Sequence, residues 1–112
     1  MNTFDYYKEF ASAVTICDVE GMIIYMNDKA ALTFEKWGGK DLVGKSLFNC
    51  HNPKSRSIIQ EIIKTGMSNT YTIDKNGEKK MIHQAPWFKD GIVAGVIEMS
   101  IVLPNNMPHY QR

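Results

Sequence analysis

The sequence predicts an α+β domain built on an antiparallel sheet, and three observations lead to this prediction. First, two β-rich runs, Ala13–Asp18 and Met22–Asn27, are separated by a tight turn and predict a hairpin. Second, Pro53–Thr65 has the apolar spacing of an amphipathic helix. Third, the last part of the chain alternates like β-strands around Asn76-Gly77, the strongest short hairpin signal.

The start of the chain predicts an N-terminal amphipathic helix within residues 1–11. Thr3 is a suitable N-cap, and Phe4, Tyr7 and Phe10 recur at helical spacing. We therefore expect a short helix over Thr3–Ala11 whose apolar stripe needs a partner surface.

Two further helices are expected in the middle of the chain. Asp28 is a candidate N-cap for a short helix that ends at Phe34. Asn52 and Pro53 are typical of a helix start, and Gly66 is typical of the residue that follows a helix. One face of this longer helix is apolar, through Ile58, Ile59, Ile62 and Ile63.

The C-terminal part predicts three antiparallel strands over Ser68–Asp74, Lys79–Lys89 and Ile92–Leu103. Asp90-Gly91 supplies the second turn. On the last strand, apolar side chains alternate with Val96, Glu98 and Ser100, and the apolar set is expected to face the core. That expectation places Ile97 and Met99 inward.

Composition limits the class of protein. The chain has 112 residues, of which 44% are hydrophobic and 22% are charged, and its net charge is +1. These values fit one globular domain, which we expect over residues 12–104 with a flexible tail over residues 105–112. There is no basic stripe for nucleic acid and no run of about 18 apolar residues for a membrane span.

Cysteine content and motifs exclude several further classes. Cys17 and Cys50 are too few for a disulfide framework, so we expect a reduced, cytoplasmic protein. The sequence has no Gly-rich phosphate loop, no nucleophile elbow and no paired carboxylates, so no enzyme activity is expected.

Three segments resemble the PAS domain family of bacterial-type sensory modules. They occur in the expected order and extend the resemblance from about Ala11 to Leu103. The segments are Asp18-Val-Glu-Gly21-Met-Ile23-Ile-Tyr-Met-Asn27, matching D-x-x-G-x-I-x-x-x-N; Leu42-Val-Gly44-Lys-Ser-Leu-Phe48; and Ala85-Pro86, Asp90-Gly91 and Ala94-Gly95-Val96.

The resemblance implies a five-stranded antiparallel sheet in the order 2-1-5-4-3, with helices on its concave face. It also implies a sensory module in signal transduction. An unidentified small molecule would bind between sheet and helices, and the signal would pass through a homodimer or to an output protein. A ligand-free dimerisation or protein-interaction module is the alternative.

Strand alternation predicts which side chains face the cavity of such a fold. Ile82 and Gln84 share the concave side with Thr15 and Cys17. The Gln84 amide contacts either a ligand or protein and buried water, since a buried amide needs a hydrogen-bond partner. The full candidate ligand set is Thr15, Cys17, Phe34, Phe48, His51, Ile59, Ile62, Tyr71, Ile82, Gln84, Ile97 and Met99.

The opposite, convex face is the predicted dimer surface. Trp87 and His83 alternate to that face, and such a large indole needs cover. The N-terminal helix would lie there, either on its own subunit or across the dimer. The candidate interface residues are Phe4, Tyr7, Phe10, Val14, Ile16 and Trp87.

The sequence requires no cofactor and predicts no metal site. A haem redox or gas sensor using His51 is the second alternative, although one histidine specifies little. Cys50 invites comparison with light-oxygen-voltage flavin photoreceptors. It is followed by His51-Asn52-Pro53 rather than by their R-F-L-Q, which argues against flavin.

Overall fold

The computed structural model describes residues 4–49 and 53–112 and contains the predicted five-stranded antiparallel sheet. The strand order is β2-β1-β5-β4-β3, which confirms the predicted fold class and order. Long strands β4 and β5 form a hairpin beside the central strand β1. The strands are β1 (Ala13–Asp18), β2 (Ile23–Met26), β3 (Asn69–Lys75), β4 (Glu78–Lys89) and β5 (Ile92–Leu103).

Two α-helices connect the two halves of the sheet, α1 (Asp28–Thr33) and α2 (Pro53–Thr65). The α1 cap differs from prediction, because Asn27 is the N-cap and Asp28 is the first helical residue. Asn27 Oδ1 accepts from the Ala30 N–H at 2.9 Å. Single 3₁₀ turns follow at Glu35–Trp37, Gly39–Leu42 and Leu47–Asn49.

The hydrophobic core lies between the concave face of the sheet and the connecting helices. Helix α2 buries Ile59 and Ile62 there, and its other face remains in water, as an amphipathic helix requires. The buried core cluster comprises Ala13, Cys17, Ile23, Met26, Ala30, Leu42, Leu47, Ile59, Ile62 and Val96.

A bulge between Trp87 and Phe88 shifts the register of the β4–β5 hairpin by one residue. Near the turn, Phe88 pairs with Val93; beyond the bulge, Gln84 pairs with Glu98. Pro86, which precedes Trp87, has no N–H group to donate to the neighbouring strand, so the sequence predicts an irregularity here. Its consequence is large, because a shift of one residue exchanges the two faces of a strand relative to its partner.

The N-terminal helix predicted over Thr3–Ala11 is wrong: the described residues of this segment form turns. The Asp5 side chain accepts from the Tyr7 N–H at 3.0 Å, and the Lys8 and Phe10 amides donate to carbonyls three residues back. An aspartate that bonds its own backbone competes with helix formation, and so short a helix has little stability of its own.

This segment is held against its own subunit beside β2 and α1. The Tyr25 hydroxyl donates to the Asp5 carboxylate at 2.7 Å and 2.8 Å. The Lys8 carbonyl accepts from the Asp28 N–H at 2.9 Å, and the Lys8 ammonium lies 3.1 Å from the Asp28 carboxylate. Burial among these contacts, followed by the bond to Asp5, raises the pKa of Tyr25 to about 12.

Residues 104–112 contain no helix or strand and are exposed. Among the described residues, no helix has both the length and the apolar character needed to cross a membrane.

Candidate functional site

A row of polar side chains crosses the concave face of the sheet from β3 to β1. Neighbouring strands place Asn69, Gln84, Glu98 and Thr15 side by side in register. The Asn69 amide donates to Gln84 Oε1 at 3.0 Å, and Gln84 Nε2 donates to Glu98 Oε1 at 2.9 Å. The row therefore forms a hydrogen-bond relay that ends at the Glu98 carboxylate.

Gln84 is buried on the concave side as predicted, but both ends of its amide are engaged by protein. Its side chain does not line the cavity that lies between the sheet and the end of α1. The role of Gln84 in this geometry is to orient Glu98. A contact from Gln84 itself to a ligand is the part of the prediction that the geometry does not support.

A cavity of about 190 Å³ lies between the sheet and the C-terminal end of α1. No α2 side chain lines it, so it differs from the space under the long helix where the sequence predicts the ligand. Thr15, Phe34, Tyr71 and Ile82 line it as predicted, and the remaining lining residues are Ala13, Thr33, Ile73, Lys75, Lys80, Glu98 and Ser100.

A second void under α2 measures only about 10 Å³. It is enclosed by Thr15, Gln84 and Glu98 on the sheet and by apolar side chains that include predicted residues Cys17 and Ile59. A cavity needs roughly 10–15 Å³ to hold one water molecule. The space between Ile59 and the sheet is therefore filled by the protein's own side chains, whereas a groove of about 270 Å³ lies at the C-terminal end of α2 beside Ile58 and Ile62.

Two other predicted cavity residues lie in the core. Ile62 belongs to the buried cluster, and the Phe48 ring packs against that cluster. The same ring lies over Gly21, where a Cβ would come within 2.6 Å of it, and φ is +79°. Phe48 thus closes the core beneath the β1–β2 turn.

The prediction that Ile97 and Met99 face the cavity is wrong. Ile97 pairs with Ile16 and Met99 with Val14, while Glu98 and Ser100 line the cavity from the same strand. Both apolar residues therefore lie on the convex face, where they are half-buried. Extending the Asp90-Gly91 turn without a bulge pairs Gln84 with Ile97, and the bulge replaces that residue by Glu98.

The convex face carries the residues predicted for a dimer. Val14 is only 2% exposed, so its own subunit already covers it, whereas Ile16 and Trp87 are half-buried. The N-terminal aromatic side chains are exposed, with Phe4 at 71%. Their rings contact each other in edge-to-face pairs, Phe4 with Tyr6 and Tyr7 with Phe10.

His51, the candidate haem ligand of the second alternative, and Cys50, whose sequence context argues against flavin, lie outside the described residues. Within residues 4–49 and 53–112, no group of three histidine, cysteine or acidic side chains is placed to hold a metal ion. The buried Cys17 thiol has its pKa raised by burial, which keeps it protonated and unreactive.

Sequence reasoning missed Glu98, Ser100 and Lys80 as cavity residues. The available signal was the polarity of Asn69, Gln84 and Glu98 themselves, because three adjacent polar residues on one face stabilise one another only when in register. The apolar residues of β5 alone favour a register with Ile97 and Met99 facing inward, in which Glu98 does not lie beside Gln84.

Comparison with known families decides the class of this cavity-bearing sheet. The PAS domain family profile matches residues 11–100, which include all five strands up to Ser100. This chain belongs to the PAS domain family. PAS domains are typically sensory modules of signal transduction, and the match confirms the resemblance found in the sequence. A comparison with curated proteins found no match.

Several solved structures share this fold at low sequence identity. A C-terminal domain from Streptococcus mutans is 17% identical at a TM-score of 0.70, with 90% of each chain covered. The PAS domain of histidine kinase ThkA is 19% identical at 0.67, covering 80% of this chain and 97% of that one. VqmA, solved bound to DPO, is 17% identical at 0.69; the match covers 88% of this chain and 55% of VqmA.

Proposed function

We propose that this PAS domain senses a small molecule bound in the cavity between the sheet and the end of α1. The observation that carries the proposal is the cavity of about 190 Å³ itself, whose mostly apolar wall holds the Thr15 hydroxyl and the Glu98 carboxylate. A mostly apolar wall with few polar groups is how small-molecule sites are usually built.

The cavity volume limits the size of the ligand. An engineered protein cavity of about 150 Å³ binds benzene, so about 190 Å³ suits a compact molecule with a single ring or a short chain. The structural relative VqmA has been solved with DPO bound, which supports a ligand role for a cavity in this fold.

Strand β5 is the element that links the cavity to the opposite face. Glu98 and Ser100 point into the cavity, while Ile97 and Met99 alternate to the convex surface. A ligand that shifts β5 also moves those convex side chains. We propose that this face and the exposed N-terminal aromatics form a homodimer, through which the signal reaches an output partner.

Native mass spectrometry of the chain purified from its host tests ligand binding. We expect a bound small molecule, and Ser100→Phe is expected to eliminate it by filling the cavity. Thr72→Phe is the matched control, because Thr72 is exposed on the same sheet and lies outside the cavity.

A protein that carries no bound mass, and whose Ser100→Phe variant is more stable to heat than wild type, contradicts the sensor proposal. That result means the phenyl ring only filled space that no ligand uses. It favours the alternative in which this PAS domain works as a ligand-free interaction module.

A further inference from the structure

The wall of the cavity carries a negative charge at its inner end, and that charge has no cationic partner. Glu98 Oε1 accepts one bond from Gln84, and Oε2 has no hydrogen-bond or ion-pair partner among the described residues. In the same part of the chain, the ion pairs all involve Asp28, with Lys8 and Lys40. A half-buried carboxylate forms a stronger hydrogen bond with a cationic donor than with a neutral one, so this end of the cavity favours a ligand that supplies a cation.

Two neighbours show that the carboxylate acts on the cavity. Thr15 pairs with Glu98 across β1 and β5, and its hydroxyl opens into the same space. Burial, and then the charge of Glu98, raise the pKa of the Tyr71 hydroxyl that lines this cavity. The inner end therefore offers a negative charge together with neutral hydroxyl groups.

The other end of the cavity is positively charged. Lys75 and Lys80 line it, and neither ammonium lies within 4.0 Å of a carboxylate among the described residues. Lys80 pairs with Val102, four residues beyond Glu98 on β5, so the two Cα atoms are separated by roughly 13 Å along the sheet. Between these two ends, Ile82 and the ring of Phe34 supply apolar surface, and Ile73 lies beside Lys80.

We propose that the ligand is a compact amphoteric molecule with a protonated nitrogen at Glu98 and Thr15 and an anionic group near Lys80. This proposal rests on the proposed sensing function and specifies its ligand class. The nitrogen donates a charge-assisted hydrogen bond to Glu98, which is stronger than a bond between neutral groups. Lys80 adds attraction at the opposite end, and the apolar surface of Ile82 and Phe34 packs against a ring or short chain.

Four probes of similar size separate these contributions in NMR titrations of the full chain. Benzyl alcohol is neutral, benzylamine is cationic, benzoate is anionic, and 4-(aminomethyl)benzoate carries both charges. We expect benzylamine to bind about tenfold more tightly than benzyl alcohol, a factor that one hydrogen bond to a charged group supplies. The amphoteric probe is expected to bind most tightly of the four.

Two variants assign the preference to its residues. Glu98→Gln is expected to remove the advantage of benzylamine over benzyl alcohol while leaving benzyl alcohol within about twofold. Lys80→Met is expected to weaken only the two carboxylate probes. Lys79→Met is the matched control, because Lys79 neighbours Lys80 on β4 but does not line the cavity. The wild-type comparison of benzylamine with benzyl alcohol needs no variant, so it stands even where Glu98→Gln unfolds.

The possible results distinguish the two proposals. Equal binding of benzylamine and benzyl alcohol by the wild-type chain overturns the amphoteric ligand and leaves the sensing cavity in place. Tighter binding of benzoate than of benzylamine overturns it as well. A chain that binds none of the four probes at millimolar concentration contradicts both proposals.

Discussion

The Trp87 indole N–H donates to the Cys17 carbonyl oxygen at 2.9 Å, reaching from β4 across β5 to β1. The bond passes over Gly95, the β5 partner of Trp87. A Cβ at position 95 would overlap both the Cys17 carbonyl oxygen and Trp87 Nε1. Because Gly95 has no side chain, the Trp87 indole can lie over β5 and bond to β1 on its far side.

Gly95→Ala is expected to lower the free energy of unfolding by about 2 kcal/mol or more, because overpacking displaces backbone as well as the indole. Urea unfolding of the full chain measures this. Trp87→Phe is the companion variant, which removes only the donor and is expected to cost about 1 kcal/mol. If Gly95→Ala is as stable as wild type, β5 can move away from Cys17 and Trp87 at no cost, and the close packing over Gly95 does not stabilise the fold.

Asn27 joins three parts of the fold from a fully buried position. Its Oδ1 accepts from the Val14 and Ala30 amides, each at 2.9 Å, and its Nδ2 donates to the Ser12 carbonyl at 2.8 Å. Asn27→Ala is expected to cost about 2–4 kcal/mol, since buried backbone groups lose their partner together with the helix cap. Asn105→Ala in the exposed tail is the control, and equal losses in both variants would contradict this role.

The position of the core predicts how isoleucine truncations differ. Ile59 is 1% exposed under the sheet, so Ile59→Ala is expected to cost about 2–5 kcal/mol in thermal or urea unfolding. Ile92 is 72% exposed, and Ile92→Ala is expected to stay within about 0.5 kcal/mol of wild type. The placement of the core is wrong if Ile92→Ala is the more damaging change.

The bond between Tyr25 and Asp5 predicts a loss of stability in alkali. The pKa of Tyr25 rises to about 12 in the folded chain. The bond between Tyr25 and Asp5 therefore contributes fully to the free energy of unfolding below the unfolded pKa near 10. The contribution is lost as pH rises from about 10 to 12. The free energy of unfolding, measured by urea unfolding across this range, is expected to fall less steeply with pH for Tyr25→Phe than for wild type. Tyr110→Phe in the tail should follow wild type.

The homodimer prediction is tested by light scattering at several protein concentrations. We expect the full chain to dimerise, and we expect removal of residues 1–11 or the substitution Ile97→Lys to shift it towards monomer. These changes remove exposed aromatic surface or charge the convex face. Ile92→Lys lies at an exposed strand end and is the control. A full chain that stays monomeric at all concentrations refutes the prediction.

Local patterns in the sequence determined most of the secondary structure. β1, β5 and α2 have the predicted bounds, because their alternation, turn residues and helix start are signals that each segment carries itself. The Asn76-Gly77 turn likewise predicts the pairing of β3 with β4. The PAS resemblance added the strand order, which no local pattern contains.

Only the tertiary structure decided which side of β5 faces the cavity. A bulge in the β4–β5 pairing, in which Ala94 has no partner between the Trp87–Gly95 and Phe88–Val93 pairs, exchanges the two sides, so Glu98 replaces Ile97 beside Gln84. The fate of the N-terminal segment was also decided by distant contacts, since Asp5 bonds to its own backbone and to Tyr25 rather than starting a helix. The first outcome depends on how β4 pairs with β5, and the second on a bond between residues 20 positions apart. Helical spacing or strand alternation within one segment carries no information about either.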